Sequence, residues 1–149
     1  MKVSEAESNK RLAGDFCRLY SEGDWPALAR LFADDFRWRQ LTSQQRHSPE
    51  LADLAKASTD TGWSKAETMA IFEQTVDKCV DRRFDLTPVS MTAEQDRVAV
   101  EAVGYAVNSA NNRVYDNRYH HLFVCRNGLI VELREYQDTL LVYDVWLAP

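Results

Sequence analysis

The feature that most limits what this chain can fold into is a change of hydrophobic period near Arg83. Before it, apolar residues recur at helical spacing. Leu12, Phe16 and Leu19/Tyr20 fall at i, i+4 and i+7/i+8, one face of an amphipathic helix. Gly23 stops that helix. Asp24 and Pro26 open a second, because Asp caps well and Pro is tolerated in a first turn; it carries Leu28 and Leu31/Phe32. FRWRQ, residues 36–40, alternates Phe36, Trp38 and Gln40 against Arg37 and Arg39, which predicts a short strand. Residues 41–62 are polar and broken by Pro49 and Gly62: a loop, with a short helix near Pro49–Ala57. Ser64-Lys65-Ala66-Glu67 is a capping box and opens a helix whose face holds Met69, Phe72, Val76 and Cys79/Val80.

After Arg83 the period is two. Strands are expected over 83–91, 97–108, 113–126 and 129–137, separated by the turn-rich TAEQD, SANN and NG. Strands joined this tightly form an antiparallel meander. DTLLVYDVW, which follows, reads either as a helix capped by Asp138 or as one more strand. Helices first and antiparallel strands after is the α+β order. We expect one domain over 1–149, a cone-shaped curved antiparallel β-sheet packed on three N-terminal helices. Such a cone leaves room for an apolar pocket between sheet and helices.

Composition narrows the function classes. At 149 residues with 45% hydrophobic and 28% charged residues, the chain can bury a real core. Its formal charge of -5 and its lack of Lys/Arg runs argue against nucleic acid. The apolar runs are too short for a transmembrane helix. The N-terminal MKVSEAESNK has no apolar signal region, so a cytoplasmic protein is expected. Cys17, Cys79 and Cys125 are widely spaced in apolar contexts and read as buried free thiols. No CxxC, HExxH or metal-ligand cluster appears, so neither metal nor cofactor is expected.

The element order, with EGDWPALARLFADDF, GWSKAE and YDNRYHHLFVCRNGLIVELREYQDT, resembles the nuclear-transport-factor-2-like superfamily, and within it the SnoaL-like and ketosteroid-isomerase-related branch. The resemblance covers nearly the whole chain and implies a cystatin-like α+β roll. Its members include isomerases, dehydratases, epoxide hydrolases, aldol-type cyclases, lyases and binding proteins, so the fold does not name an activity. Ketosteroid isomerases use a base Asp with a Tyr and a protonated Asp. By resemblance Phe16, Gln40 and His120 stand at the positions of that Tyr, that base and that second Asp. In limonene-epoxide-hydrolase-like enzymes Glu135 would match one Asp, with Trp38 and Gln40 at the Tyr and Asn, but Ala102 and Gly104 replace the Arg and the other Asp. SnoaL-like cyclases pair a His with an Asp, and a His/Glu version is available here.

Turn arithmetic locates that pair. If Asn127-Gly128 is a two-residue turn, Arg126 faces Leu129, and counting outward pairs Val124 with Val131, Leu122 with Leu133, and His120 with Glu135. Directly opposite residues share a face. This face is aliphatic and therefore expected inside, with His120 and Glu135 at its end. A three-residue turn would instead bring His121 inward and set Tyr119 opposite Glu135. On the neighbouring strand Val98, Val100, Ala102 and Gly104 are expected inward, leaving Glu101 outside. His121–Arg134 would then be an outer-face pairing. Tyr119, Phe123, Ile130 and Tyr136 would form an apolar outer patch and, as in relatives, a homodimer contact.

The expected function is cofactor-free acid–base chemistry of lyase, isomerase or cyclase type on a hydrophobic, cyclic or aromatic small molecule. His120 and Glu135 would be the catalytic pair, shuttling one proton. Trp38, Gln40, Trp63, Leu122 and Leu133 would line the substrate site. The alternatives are a non-catalytic binding module of the same fold, or epoxide hydrolysis with Glu135 on a water.

Overall fold

A computed structural model describes residues 4–40 and 62–149. The helix expected near Pro49–Ala57 lies outside the described residues. Helix α1, Glu5–Glu22, begins where the Ser4 side chain accepts the Glu7 N–H. It ends at Gly23, whose φ of 68° is the left-handed conformation that glycine adopts at least cost. Helix α2, Trp25–Arg30, starts at Asp24, whose carboxylate accepts the Ala27 N–H. Strand β1, Phe32–Gln40, follows at once, so Phe32 belongs to the sheet and not to the second helix. The two-residue β2, Trp63–Ser64, leads into α3, Lys65–Asp77, through the expected capping box between Ser64 and Glu67.

Four long strands complete the sheet: β3 Cys79–Glu94, β4 Arg97–Asn108, β5 Val114–Arg126 and β6 Leu129–Gln137. The order among the described residues is β2-β1-β6-β5-β4-β3. Pairing is antiparallel except between β1 and β6, which run parallel. A long excursion through β2, α3 and β3–β5 separates β1 from β6 in sequence, which is what a parallel neighbour requires. Asp138 caps the following short helix α4, Thr139–Val142, by accepting the Leu140 and Leu141 N–H groups. A π-helical turn, Tyr143–Leu147, carries the chain on.

The sheet is curved and unclosed, and the N-terminal helices fill its inner face. Phe16 of α1 is the hub of that core. Its ring lies 6.1 Å from Phe32 on β1, 6.1 Å from Phe72 on α3 and 5.1 Å from Phe123 on β5. Ala13, Cys17 and Leu28 are fully buried around it. Val98, Val100 and Ala102 of β4 face inward as expected, and Glu101 faces out, where its carboxylate accepts the Ser90 hydroxyl at 2.7 Å. Cys17, Cys79 and Cys125 are all buried free thiols. No described helix is long and apolar enough to cross a membrane.

Candidate active site

The β5–β6 hairpin decides which side chains look inward. Asn127 and Gly128 sit at φ 54° and 75°, and Arg126 faces Leu129 across them, so the turn has two residues as expected. One step further the register slips. Cys125 lies opposite Ile130, but Val124 lies opposite Glu132, so Val131 is the extra residue of a β-bulge. From there on every residue of β6 is displaced by one relative to β5. Phe123 pairs with Leu133, His121 with Glu135, and Tyr119 with Gln137.

The expected His120–Glu135 apposition is therefore corrected. His120 is exposed on the outer face, where its ring meets Tyr136 at 6.2 Å. It borders an open groove of about 550 Å³ with Glu101, Val103, Arg118 and Tyr136, on the side of the sheet opposite Glu135. His121 is the inward histidine, 2% exposed, and its Nε2 lies 3.2 Å from Glu135 Oε2. The three-residue-turn alternative also brought His121 inward, but it set Tyr119 opposite Glu135; a bulge beyond a two-residue turn sets His121 there. Leu122 is half-buried on the outer face rather than in the site, whereas Leu133 is fully buried inside. The expected His121–Arg134 pairing is absent: Arg134 Nε donates to Glu132 at 2.8 Å, and Arg39 lies 3.2 Å from the same carboxylate. Those two guanidinium groups hold the Glu132 carboxyl below its ordinary range, Arg134 contributing most. Of the expected outer patch, only Tyr136 is outside; Tyr119, Phe123 and Ile130 are buried.

Strand β1 supplies the third side of the site. Its parallel register sets Trp38 beside Leu133 and Gln40 beside Glu135. Gln40 Nε2 donates to Glu135 Oε1 at 3.3 Å. Both carboxylate oxygens are thus engaged, Oε1 by Gln40 and Oε2 by His121. Trp63, half-buried, lies across from Trp38 at the sheet edge.

This arrangement fixes the histidine tautomer. A carboxylate only accepts hydrogen bonds, so the proton between the two groups sits on His121 Nε2. In the neutral ring Nδ1 then carries the free lone pair, and that atom is buried with no partner among the described residues. Trp38 Nε1, a donor only, is in the same condition. Buried polar atoms left without partners cost about 1–3 kcal/mol each, so two of them on one inner face mark a place where a polar group from outside would be welcome. The surroundings are aromatic. Phe16 meets the His121 ring edge-on at 6.1 Å, Phe123 at 5.8 Å, and Tyr119 lies 5.0 Å away.

Beyond Tyr119 lies a polar network. The Tyr119 and Tyr115 hydroxyls are 2.7 Å apart. Asn117, fully buried between them on β5, donates from Nδ2 to Tyr115 Oη at 2.7 Å. Asn117 is held in turn by the backbone of Asp138, whose N–H it accepts at 3.0 Å. Gly104 on β4 makes room for this network: a Cβ there would fall 2.5 Å from Tyr119 Cε2. Burial pushes the Tyr20, Tyr115 and Tyr119 phenols well above their ordinary range, the negative charge of Glu135 adding to the effect. No group of three His, Cys, Asp or Glu side chains among the described residues is placed to hold a metal.

His121, Tyr119, Tyr115 and Asn117 were not singled out from the sequence as site residues, yet a signal for them existed. The four-residue SANN turn places Asn108 opposite Arg113, which pairs the inward even residues of β4 with the odd residues of β5. That arithmetic contradicts the count made from Asn-Gly, and only a bulge between them reconciles the two.

Among solved structures this one resembles Bal32a, from a soil-derived mobile gene cassette, at 17% identity over 96% of this chain and 99% of that one, with a TM-score of 0.76. A protein of Xanthomonas campestris pv. campestris, provisionally assigned as a polyketide cyclase, matches at 18% identity over 95% and 98%, TM-score 0.73. IdmH of Streptomyces antibioticus, provisionally assigned likewise, matches at 15% identity over 91% and 96%, TM-score 0.72. At these identities the likeness is one of fold. No curated protein matches the sequence. The sequence pattern of the SnoaL-like domain matches residues 13–133, a span that runs from within α1 to within β6 and includes the inward histidine, and the chain belongs to the SnoaL-like domain family.

Proposed function

We propose that this protein is an acid–base enzyme that removes a proton next to a carbonyl in a hydrophobic, cyclic or aromatic small molecule. Ring closure of aldol type is the favoured continuation. The observation that carries this reading is the buried His121–Glu135 contact at 3.2 Å, with Nδ1 lacking a hydrogen-bond partner among the described residues. In this reading His121 Nδ1 is the base. Glu135 is not a second shuttle but the group that orients the imidazole and stabilises the imidazolium, and Gln40 orients Glu135. That is the base-and-orienter logic seen wherever a carboxylate fixes a histidine tautomer. The chemistry draws on side chains alone, and the aromatic surroundings suit an apolar substrate. Two of the structural relatives, provisionally assigned as polyketide cyclases, add support. Epoxide hydrolysis by Glu135 is not supported, because both of its oxygens are occupied and Ala102 and Gly104 offer no partner.

The test is solvent deuterium exchange into a panel of aryl ketones, including 1-phenylbutane-1,3-dione and 2-tetralone, followed by proton NMR. Wild-type protein accelerates exchange at the carbon next to the carbonyl. His121→Ala loses about 10²–10⁴-fold, the usual contribution of a positioned base. Glu135→Gln loses on the order of 10²-fold or more, because an amide can hold the wrong tautomer. Full exchange activity in His121→Ala would refute the assignment, and no exchange by the wild type would favour a binding module. The same reading keeps a homodimer through the outer sheet face, where Val89, Tyr105, Val114 and Tyr136 stand exposed. Sedimentation of Tyr136→Glu against wild type tests it.

A further inference from the structure

Strand β1 turns one face to the site and the other away from it. Arg37 and Arg39 stand on that outer face, and the proposed reaction uses neither. The parallel register with β6 sets Arg37 beside Glu132 and Arg39 beside Arg134. Like charges directly across neighbouring strands are unfavourable. Neither guanidinium of the second pair escapes fully into water, for the Arg39 and Arg134 side chains are 31% and 33% exposed. One carboxylate serves both. Arg134 Nε and Nη2 donate to the two oxygens of Glu132 at 2.8 and 3.2 Å. Arg39 Nε lies 3.2 Å from one of those oxygens, yet makes no hydrogen bond to it. That nitrogen is buried without a partner among the described residues.

The wider face adds positive charge. Arg37, Glu132, Val124 and Arg97 form one row across the sheet. The acids within reach of the Arg37 charge are engaged elsewhere, Asp35 by Arg126 at 2.7 Å and Glu67 by the Ser64 N–H at 2.8 Å. In a chain of formal charge -5, four guanidinium groups thus gather about one carboxylate.

We propose that this outer face binds a small phosphate monoester, held between Arg39 and Arg134. It is a second site, on the side of the sheet opposite His121 and Glu135, and it does not depend on the reading of His121 as base. Neighbouring strands lie about 4.8 Å apart, so both side chains reach one tetrahedral group. A guanidinium presents parallel N–H donors that match two phosphate oxygens. Arg134 Nη1 and the terminal nitrogens of Arg39 have no partner among the described residues and are available for this. A phosphate monoester carries nearly two negative charges at neutral pH, and so offsets what Glu132 leaves uncompensated. A carboxylate brings only one. Leu122 and Val124, half-buried opposite Arg134 and Glu132, give the organic part of the ester an apolar wall. The two side chains are recessed, so a small ester reaches them and a membrane surface does not.

Calorimetric titration of the whole chain with phenyl phosphate tests this, at about 0.15 M NaCl, where exposed charges are screened. One saturable site is expected, with Kd about 1 mM or tighter. Arg39→Gln and Arg134→Gln each weaken it about 10-fold or more, the worth of a charge-assisted hydrogen bond. Arg118→Gln leaves it unchanged, because Arg118 is already paired with Asp116 at 2.6 Å. Benzoate binds at least about 10-fold more weakly. Phenyl phosphate raises the melting temperature of the wild type and not that of Arg39→Gln. The Nε–Hε NMR signals of Arg39 and Arg134 in the wild type move on titration, which decides the matter should a variant fail to fold. Absence of saturable binding overturns the proposal. So do benzoate binding as tightly, equal weakening by Arg118→Gln, and unmoved Arg39 and Arg134 signals. Capture by phosphatidylcholine vesicles containing phosphatidic acid, whose headgroup is the same monoester, overturns a soluble ligand. If the wild type ignores phenyl phosphate while Arg39→Gln changes its sedimentation, the patch belongs to a second copy of the chain and the phosphate site is overturned.

Discussion

Gly104→Ala is the most informative single substitution outside the reacting groups. An added Cβ would lie 2.5 Å from Tyr119 Cε2, 3.0 Å from Phe84 Cε1 and 3.2 Å from Phe84 Cζ. Carbon atoms at rest sit about 3.5–4.0 Å apart, so the Tyr119 ring must retreat by about 1 Å. Phe84 is buried at 5% exposure and packs at 5.3 Å on Tyr20, so it has little room to give. Overpacking of this kind costs about 1–3 kcal/mol. Moving the ring also opens the 2.7 Å bond to Tyr115, which adds about 1 kcal/mol. The expected loss is therefore about 2–4 kcal/mol, read as a lower urea midpoint at unchanged slope. The tyrosine near-UV circular dichroism should change, and exchange activity should fall with it. The control is a double-mutant cycle. In a Tyr119→Ala background the clash partner is gone, and Gly104→Ala should cost far less, giving a coupling of about 1–3 kcal/mol. A midpoint within about 0.5 kcal/mol of wild type would refute the reasoning, as would simple additivity in the cycle.

Three further outcomes follow from the same geometry. Burial raises the thiols of Cys79 and Cys125 to about 11 and that of Cys17 to about 12, and raises the phenols of Tyr20 and Tyr119. A raised folded value means stability that is whole below the ordinary thiol value of 9.0 and is lost as pH rises through the folded ones. Urea midpoints should hold to about pH 9 and then decline steadily, and a flat profile to pH 11 would contradict the burial. Ser64→Ala removes the N-cap of α3 and should cost about 1 kcal/mol in the same assay. His120→Ala, exposed on the outer face, should leave both exchange activity and stability within about 0.5 kcal/mol of wild type. A large loss of exchange there would reinstate His120 and unseat His121.

The sequence by itself determined the kinds of element and most of their bounds. Strands β4 and β6 run over 97–108 and 129–137 as the turn signals predict, and the capping box at Ser64 and the cap at Asp138 both form. These features are local: a cap or an Asn-Gly turn is written within a few residues, and an inward-facing β4 shows in its own alternation. It also put Glu135 inside. What only the tertiary structure decided is which histidine meets it. A side chain in a strand changes face with every residue, so one extra residue at Val131 exchanges His121 for His120 while leaving the composition and the turn untouched. Neither turn alone announces that bulge; the disagreement between the SANN and Asn-Gly counts calls for one without placing it. It is set by what must pack above it: Ile130 and Leu133 both reach the core, three residues apart, only if the strand kinks between them. The parallel β1–β6 pairing, which brings Gln40 to Glu135, is likewise invisible to any argument built from neighbouring turns, because 95 residues separate the two side chains. The Tyr115–Tyr119–Asn117 chain depends on the same long-range decision, since it exists only when the odd residues of β5 face the helices.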